Sequence, residues 1–588
     1  MDRRRFLGIL AACLPAAAQQ QQQPTQSLNS PILRAMYEEL TRSRNIRLMG
    51  LAPYFIEYGV EDQEATSVSA SLGGVLNARQ NTIRMPIVKL RVGSYEMDQT
   101  NQIFAGIYSG SRYDSDYLPL DDNIPLIRQT LWLATDRAFK SAVEAMSAKQ
   151  QILKVANVTE MLPDFEKAAP FVSVSNAARI KVNLEAWKSR TVDLSRVFLD
   201  FPDVLLSGVE FDALASMSHH VNSEGTVVRY PDYLTTMRVR AVSQAPDGTA
   251  VRDAVVFHSF EDSKMPSQGV MEKAAREVAA NVKALASASV GESYSGPVLF
   301  EPLAAAQLFG QLLGDNVRNP RRPLSDPGRN VPFQPSEFDG KIGSRVLPDY
   351  FDVVDDPTQQ SVDGHTLMGH YLVDNEVVAP RPVTLIEKGV LKEFLRTRQP
   401  MRGFSGSTGH ARLSGNFGHN TAAIANLFVK ARESKPLAEL RKQFLSMLQQ
   451  RSKPYGILVR KFDYPSSASI PELQAMFASY GQSGATTRPV PPLTLVYKVY
   501  PDGREELIRN VRLKNVSTRS LRDIMAASSE TIAFDYVNNS VPFALMGVPG
   551  YLSASTVIAP GVLFDELEVD RIRDETVKPP LTPPPPVR

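Results

Sequence analysis

Apolar and polar residues alternate along several stretches of the first half of the chain, which is the two-residue period of a half-buried strand. The clearest stretches are residues 54–60 and 87–92, with Gly73-Gly74 as a turn between them. Further strands are predicted at 225–230, 236–242 and 254–259. Apolar residues at mixed three- and four-residue spacings instead predict helices at 31–48, 123–155 and 268–286. Helices and strands without a regular βαβ rhythm indicate an N-terminal α+β domain over residues 31–290.

The second half is richer in strand patterns. They lie at 350–354, 384–387, 456–462, 494–499 and 507–513, and one helix is predicted at 302–313. A polar break at 291–296 separates the halves, so we place a β-rich C-terminal domain at 295–575. The last segment, 576–588, contains four consecutive prolines, which favour an extended tail because proline cannot continue a helix or a sheet ladder.

The N-terminus has the layout of an export signal over residues 1–18, followed by a flexible spacer at 19–30. Three arginines at 3–5 precede an apolar run to Ala12, and the Arg-Arg-x-Phe-Leu order resembles a twin-arginine signal. Two processing routes compete: cleavage after the alanines at 16–18, or a lipobox at 10–13 whose Cys13 is lipidated. An apolar helix of the fold is the third reading, and the glutamines at 19–23 argue against it. We therefore expect a periplasmic or envelope protein, with a lipid anchor if the lipobox is used.

Composition excludes several classes of function. The chain has 588 residues with 65 basic and 63 acidic side chains, so its net charge of +2 provides no field for nucleic acid. No apolar run after the first twenty residues has the length of a membrane span. Cys13 is the only cysteine, and once it is removed or lipidated no free thiol remains. Disulfides, thiolate zinc sites and cysteine nucleophiles are thereby excluded.

Four stretches in a fixed order resemble the C-terminal half of the TldD/PmbA family, long called modulators of DNA gyrase and including zinc-dependent peptidases. They are residues 297–306 leading to Leu312-Leu313-Gly314-Asp315, residues 336–346, residues 384–395, and residues 407–412. The resemblance implies an α+β fold with a β-rich C-terminal domain. It also implies an extended or unfolded peptide as the ligand.

The zinc motif of the family is missing from this chain. In the peptidase members, a helix before a Leu-Glu-Gly-Asp ending carries His-Glu-x-x-x-His, and a later cysteine adds a ligand. Aligning that ending with residues 312–315 puts Ala305 and Ala306 at the first two positions and Gly310 at the second histidine. None of these residues has an imidazole, carboxylate or thiolate donor for zinc. The resemblance therefore implies a non-catalytic member of the PmbA-like (TldE) branch, with no cofactor expected.

Two other groups of residues carry alternatives. His365 and His370, with Asp355 upstream, have enough donors for a relocated metal site, and zinc is expected only under this reading. The Gly-rich stretch 403–418 has the backbone freedom of a loop that approaches a peptide, with Ser407, Gly409, His410 and Arg412 as binding candidates. A surface loop without a ligand is the plain alternative.

Three hypotheses about the function remain open. The first is an exported peptide-binding subunit that lacks zinc chemistry and acts as a homodimer or beside a TldD-like partner subunit. The second is an active metallopeptidase with the relocated site. The third is a structural envelope protein. The pair His219-His220 is interpreted as an exposed strand end.

Overall fold

The structure is a computed structural model, and it describes residues 30–103, 117–155, 161–326, 328, 333, 335–414, 419–464, 490–538 and 553–572. The predicted export signal, both of its processing sites, nearly all of the spacer and the proline-rich tail lie outside the described residues. Within the described part, no helix is long and apolar enough to cross a membrane.

Six helices lie in the described residues. Their bounds are α1 Pro31–Ser43, α2 Ile124–Val155, α3 Leu184–Ser195, α4 Gln268–Ser287, α5 Pro302–Gly314 and α6 Leu437–Gln450. Helix α1 begins after Ser30, whose hydroxyl accepts a hydrogen bond from the backbone N–H of Leu33, with Pro31 in the first turn. It ends five residues earlier than predicted, and Leu48 instead pairs with Leu51 across a turn in which Met49 and Gly50 have positive φ angles. Helices α3 and α6 were not predicted.

The first half forms a six-stranded sheet. Its strands are β1 Pro53–Ser71, β2 Gly74–Val92, β3 Val172–Val174, β4 Leu206–Asn222, β5 Val227–Gln244 and β6 Ala250–Ser259. They lie in the order β2-β1-β4-β5-β3, and β6 pairs with β5 beside β3. Strands β1 and β2 form a hairpin, which confirms the predicted turn within one residue.

Strand β5 corrects the prediction of two separate strands, and β4 was missed. Pro231 lies inside β5, although proline lacks the N–H that a central strand donates. In the fold, Pro231 lies between the segment paired with β3, which ends at Arg229, and the segment paired with β6, which begins at Thr235. At Pro231, β4 is therefore the only strand paired with β5 in the described structure, and the missing N–H leaves no ladder with a second strand incomplete.

The second half forms a twelve-stranded sheet and two short ladders. The large sheet contains β7 Ser289–Val290, β8 Tyr294–Phe300, β9 Phe351–Asp355, β12 Val383–Glu387, β13 Val390–Leu391, β16 Asn426–Ala431, β17 Gly456–Phe462, β18 Leu493–Val499, β19 Glu505–Arg509, β20 Val511–Lys514, β21 Ile524–Asn538 and β22 Ser553–Arg571. The short ladders pair β10 Ser361–Val362 with β11 His365–Thr366, and β14 Ala411–Ser414 with β15 Asn420–Ala422. The strand predicted at 507–513 is divided at Asn510, which has a φ of +58°. The α+β fold class with a β-rich second half is confirmed.

Charged contacts join the two halves. The guanidinium of Arg398 donates to the Glu224 carboxylate at 2.7 Å, and both side chains are buried. Its charge also lies over the ring of Phe165, 3.9 Å from the centroid. Lys461 bonds Asp253 at 2.5 Å, which adds a second link. These contacts join the β4–β5 turn and strand β6 to the second half.

Candidate functional site

Helix α5 holds the three positions that the family uses for zinc. It packs against β22, β21 and β17, and every residue from Ala304 to Gly314 is buried. Ala305 and Ala306 are fully buried and provide only methyl groups. At Gly310, a Cβ atom would lie 3.3 Å from the Tyr464 hydroxyl and 3.4 Å from a methyl of Val557. The helix is therefore a packing element on all sides.

Aromatic rings fill the space beside Gly310. The Tyr464 and Tyr536 rings meet edge to face with centroids 5.1 Å apart, and Tyr464 meets Phe534 at 5.0 Å. Phe534 and Tyr536 stack at 5.5 Å. Zinc needs nitrogen, oxygen or sulfur donors at about 2.0–2.3 Å, and α5 offers none at the aligned positions. The residues present do not fit a zinc ion there.

The six-stranded sheet differs from α5 because one of its faces carries polar side chains. Side chains alternate across a strand, so cross-strand partners share a face. The register places Glu61, Ser218 and Tyr230 in one row and Ser67, Asp212, Thr236 and His258 in another. The other face of the same strands carries apolar residues such as Phe211, Met237 and Val239, which are buried in the core shared with α3 and α4.

Residues of the second half lie close to this polar face. The charge of Arg412 acts on Asp232, and the charge of Asp535 acts on His258. The Asp232 side chain is exposed to solvent, yet desolvation by the surrounding protein raises its pKa, followed by repulsion from Glu61. Solvent thus reaches a carboxylate that has protein around it. We call this space the polar recess and define it by Glu61, Tyr230, Asp232 and His258 from the sheet and Tyr371, Arg412 and Asp535 from the second half.

Arg412 is held rigidly in the polar recess. Its guanidinium donates to the backbone oxygens of Ile424 at 2.7 Å and Ala554 at 2.6 Å. It also lies over the Tyr371 ring, 4.6 Å from the centroid. Burial lowers the pKa of Arg412, while the nearby Tyr371 and Asp355 raise it. Because the pKa of an arginine starts above 12, the group stays charged and provides a fixed positive point.

The neighbouring ionisable groups are shifted toward their neutral forms. Burial is the largest cause that raises the pKa of Tyr230, and Glu61 adds to it. Burial also raises the pKa of Asp212, against the opposing effect of Arg238. The pKa of His258 falls to about 4, mainly because burial disfavours its charged form. Shifted groups in a recess are typical of a binding or catalytic site.

The predicted peptide-binding loop is only partly a loop. His410 is fully buried: its Nε2 lies 3.1 Å from an oxygen of Asp355, and its Nδ1 lies 2.9 Å from the backbone oxygen of Thr408. Gly409 has a φ of +72°, and a Cβ there would lie 2.6 Å from the Ala379 oxygen. The prediction of an open loop is therefore wrong at His410 and Gly409, because both pack into the second half.

Ser407 and Arg412, the other two peptide-binding candidates, are less deeply buried. Ser407 is half-buried, and its hydroxyl contacts the backbone oxygen of Arg396 at 3.3 Å. Arg412 lies at the polar recess, although its hydrogen bonds go to the backbone oxygens of Ile424 and Ala554 and to the Ser555 hydroxyl. Peptide binding by this segment stays a prediction, and residues 415–418 lie outside the described part of the chain.

The residues of the relocated metal site have separate partners. His365 Nε2 lies 2.8 Å from Asp535, and this contact raises its pKa. His370 Nδ1 lies 3.0 Å from the Pro357 oxygen, and Asp355 pairs with His410. Throughout the described ranges, no three His, Cys, Asp or Glu side chains group in a way that could hold a metal ion. His365, His370 and Asp355 are not brought to one point.

His219 and His220 correct a further prediction. Both are buried, with exposed fractions of 2% and 7%, because β4 lies between β1 and β5 in the middle of the sheet. His219 points to the apolar face, where burial lowers its pKa to about 4. His220 lies on the polar face, with its Nε2 3.6 Å from Glu61.

Comparison with known families gives one match. Residues 293–495 match the PmbA/TldA metallopeptidase C-terminal domain. This part of the chain is a domain of the TldD/PmbA type. The matched range includes α5 and Arg412, so both the altered helix and one wall of the polar recess lie inside the TldD/PmbA domain. A comparison with curated proteins gives no match.

Solved structures share the fold of this chain. TldE from Thermococcus kodakarensis is 13% identical with a TM-score of 0.54, and the match covers 91% of this chain and 100% of that chain. A candidate modulator of a DNA gyrase from Thermotoga maritima is 13% identical with a TM-score of 0.54, covering 91% and 99%. A similar candidate from Bacteroides thetaiotaomicron is 10% identical with a TM-score of 0.51, covering 92% and 98%. At these identities the likeness shows the fold alone.

Sequence reasoning missed Glu61, Tyr230 and Asp232. A signal for them exists in β4 and β5, where polar residues recur on one face and only Leu214 and Leu234 interrupt the series: Glu210, Asp212, Ser216 and Ser218 in β4, and Asp232, Thr236, Arg238 and Arg240 in β5. An alternating strand is normally expected to turn its polar side to bulk solvent. Only the fold shows that the second half covers it.

Proposed function

We propose that the protein is an exported TldD/PmbA-family subunit that binds extended peptides in the polar recess and performs no zinc chemistry at α5. The observation that carries the proposal is the contrast at α5. The positions aligned with the His-Glu-x-x-x-His motif are Ala305, Ala306 and Gly310, and aromatic rings occupy the adjoining space. The polar recess, in contrast, keeps ionisable groups in solvent contact. A recess with hydrogen-bonding groups and half-buried side chains suits an extended backbone.

We further propose a TldD-type partner subunit, with a homodimer as the alternative. The similarity to TldE from Thermococcus kodakarensis supports the first version, because the resemblance to the TldE branch implies such a pairing. The arginines at 3–5 and the apolar run after them support export to the periplasm or cell envelope.

The relocated metallopeptidase is less well supported. Its histidines have partners in the described structure, since His365 pairs with Asp535 and His370 with a backbone oxygen. The structural envelope protein predicts no peptide binding at all, which the second experiment below would reveal.

The first experiment measures zinc and cleavage together. The mature chain, beginning after residue 18, is purified and its metal content measured by mass spectrometry, and unfolded peptides are incubated with it with and without a chelator. We expect zinc far below one ion per chain and no chelator-sensitive cleavage. About one tightly bound zinc per chain together with chelator-sensitive cleavage would refute the non-catalytic assignment.

The second experiment blocks the polar recess. Leu234 is half-buried in β5 between Asp232 and Thr236 and shares their face. Leu234→Trp should fill the recess and abolish the binding of a fluorescent extended peptide, measured by anisotropy. The matched control is Leu206→Trp, at the exposed end of β4, where the side chain is 68% exposed. Equal binding by both variants, with unchanged thermal midpoints, would rule out the recess as the peptide site.

A further inference from the structure

Strand β2 forms one edge of the six-stranded sheet, because it pairs with β1 and with no other strand of the described residues. The opposite side of the sheet is protected. There β3 is only three residues long, and the Lys461 ammonium of the second half donates to the Ala254 backbone oxygen of β6. A long unprotected edge attracts other strands through its unpaired N–H and C=O groups. β2 has 19 residues, and its two halves are protected very differently.

The second half of β2 is covered at its edge. The Arg84 backbone oxygen accepts from the backbone N–H of Leu118 at 2.8 Å, and the Leu90 oxygen accepts from the Gln99 side chain at 2.8 Å. Pro86 lies between them, where its missing N–H would also point to the edge. The even-numbered residues of β2 therefore direct their backbone groups away from β1, because alternate residues of a strand face opposite sides.

The first half of β2, residues 74–82, has no such cover, and we call it the open edge. The register with β1 is unbroken from residue 77 to residue 91, so Ala78, Gln80 and Thr82 also point their N–H and C=O groups outward. In the described part of the chain, none of these backbone groups has a hydrogen-bond partner. Arg79 is the only charged residue of the segment. The open edge therefore offers a free hydrogen-bonding ladder to another strand.

Two exposed apolar groups lie at the ends of the open edge. Val75 and Leu76 are 44% and 70% exposed at its start. Tyr117 and Leu120 are 66% and 56% exposed beyond its end, in the segment that hydrogen-bonds Arg84. Leu76 and Arg84 are eight residues apart, about 27 Å along a strand, so the two apolar groups cannot cover each other within one chain.

A second copy of the chain can complete the ladder. In an antiparallel pair around a two-fold axis at Gln80, Gln80 lies opposite its own equivalent and Ala78 lies opposite Thr82 of the other copy. All of these residues point outward, so each opposing pair exchanges two hydrogen bonds. The free backbone groups of the open edge are then satisfied without any change in the pairing of β1 with β2.

The same axis brings the apolar groups together. Because Gln80 is the centre, Leu76 of each copy lies opposite Arg84 of the other, beside the exposed Tyr117 and Leu120 of that copy. The groups that are far apart in one chain thus meet twice across the axis, and their contact removes apolar surface from water. A surface that is complementary to itself in this way favours a second copy of the chain over an unrelated peptide.

Charge selects this register over its neighbour. An axis at Arg79 would place Arg79 directly opposite Arg79 of the other copy, and like charges in that position destabilise a sheet. An axis at Gln80 places Arg79 opposite Asn81 instead. The register centred on Gln80 therefore has no like charges directly opposite each other along the open edge.

We propose that the open edge pairs antiparallel with the open edge of a second copy of this chain, around a two-fold axis at Gln80. The two six-stranded sheets then form one continuous sheet. Because the axis is perpendicular to the sheet, the polar faces of both copies lie on the same side. Such pairing goes beyond the proposed peptide binding and does not depend on it. It gives the homodimer version of the partner a defined surface.

A cysteine cross-link tests the position of the axis. The mature chain, beginning after residue 18, has no cysteine, so each single-cysteine variant carries one thiol. Gln80→Cys places two thiols opposite each other on the same face of the joined sheet, and mild oxidation should give a disulfide-linked dimer on a non-reducing gel. The matched control is Met49→Cys, at a residue that is 82% exposed beyond the other end of the β1–β2 hairpin, and it should stay a single chain.

A proline variant tests the ladder. The Gln80 N–H points away from β1, so Gln80→Pro removes no backbone hydrogen bond within the chain and should fold. It removes two hydrogen bonds from the symmetric pair and should raise the dimer dissociation constant at least about tenfold, as measured by sedimentation equilibrium. Gln80→Ala loses the same side-chain contacts but keeps the N–H, so as the matched control it should dimerise like the wild type. Leu76→Lys should also weaken the dimer, whereas Met49→Lys should not.

Self-pairing would be overturned by a wild-type chain that stays monomeric at its highest soluble concentration, or that pairs only with a TldD-type subunit. A dimer that Gln80→Cys does not cross-link, or whose dissociation constant is unchanged in a folded Gln80→Pro variant, would equally rule out the open edge. Peptide binding is measured separately by anisotropy. Its failure would refute the proposed function and leave the pairing in place.

Discussion

Helix α5 and the polar face of the six-stranded sheet both lie against other parts of the protein, but the helix presents apolar side chains and the sheet presents ionisable ones. The helix lies at the centre of the second half, and the residues Ala305, Ala306 and Gly310 contribute no polar side-chain atom. The sheet keeps Glu61, Asp212 and Asp232 where surrounding protein raises the pKa of both aspartates. One region has been optimised for packing, whereas the other retains groups that packing alone would not favour.

The difference is instructive because unpaired acids reduce stability. A carboxylate that is desolvated without a cation destabilises the folded state, while alanine in a helix stabilises it. Sites that keep such groups are typical of binding or catalysis. In this protein the contrast supports the proposal that a ligand binds at the sheet and that the helix has a structural role.

The largest effect on stability is expected when an imidazole is placed on α5. Gly310→His should lower the free energy of unfolding by at least about 3 kcal/mol, because its Cβ alone would lie 3.3 Å from the Tyr464 hydroxyl and 3.4 Å from Val557. Denaturant unfolding with a tryptophan fluorescence readout measures the change.

A matched glycine provides the control for that substitution. Gly269 lies in the first turn of α4, and nothing lies within 4 Å of its hypothetical Cβ. Gly269→His should leave stability unchanged or slightly raised, since glycine is a poor helix former. If Gly310→His were as stable as Gly269→His, the space beside α5 would be open and the packing role of the helix would be refuted.

The second prediction concerns how the stability of the fold depends on pH. The pKa of His258 is depressed from 6.5 to about 4, chiefly by burial, while Asp535 opposes the shift and Arg238 adds to it. The unfolded chain therefore takes up this proton first as the pH falls. Stability should be complete above about pH 6.5 and be lost progressively down to about pH 4, with a limiting slope of about 1.4 kcal/mol per pH unit.

The variant His258→Gln removes this titration and can keep the hydrogen bond to Thr236, which is 3.0 Å long in the wild type. The loss of stability between pH 7 and pH 4.5 should shrink by about 2 kcal/mol, as measured by urea unfolding at each pH. His365→Gln is the opposing control. Asp535 raises the pKa of His365, so His365 stabilises the fold below its unfolded pKa and this contribution disappears as the pH rises through the folded pKa. A wild-type profile without acid loss would contradict the burial of a neutral His258.

The smallest expected effect concerns Asp232. Its pKa is raised in the folded state, so ionisation at neutral pH opposes folding, and the opposition disappears as the pH falls below the unfolded pKa. Asp232→Asn should leave the thermal midpoint unchanged or slightly higher at pH 7. Calorimetry beside Asp121→Asn, at an exposed aspartate before α2, measures the difference. A clear drop in the midpoint for Asp232→Asn alone would indicate that Asp232 is a structural residue.

The sequence by itself determined the α+β class, the resemblance of the second half to the TldD/PmbA domain and the loss of zinc donors on α5. These depend on local information: periodicity marks helices such as α2 and α4 and strands such as β17, and donor chemistry is a property of each side chain. Residues 305, 306 and 310 cannot coordinate a metal in any fold because they have no donor atom.

Tertiary structure alone decided which polar residues meet. His410 looked like part of an open loop, but Asp355, which lies 55 residues earlier in the chain, pairs with it in the interior. Asp232 looked like an ordinary polar strand position, but Glu61, more than 150 residues away, lies near it across β4. Burial, pKa shifts and the polar recess arise from such long-range packing, and no local pattern of residues encodes which distant segment will cover a strand.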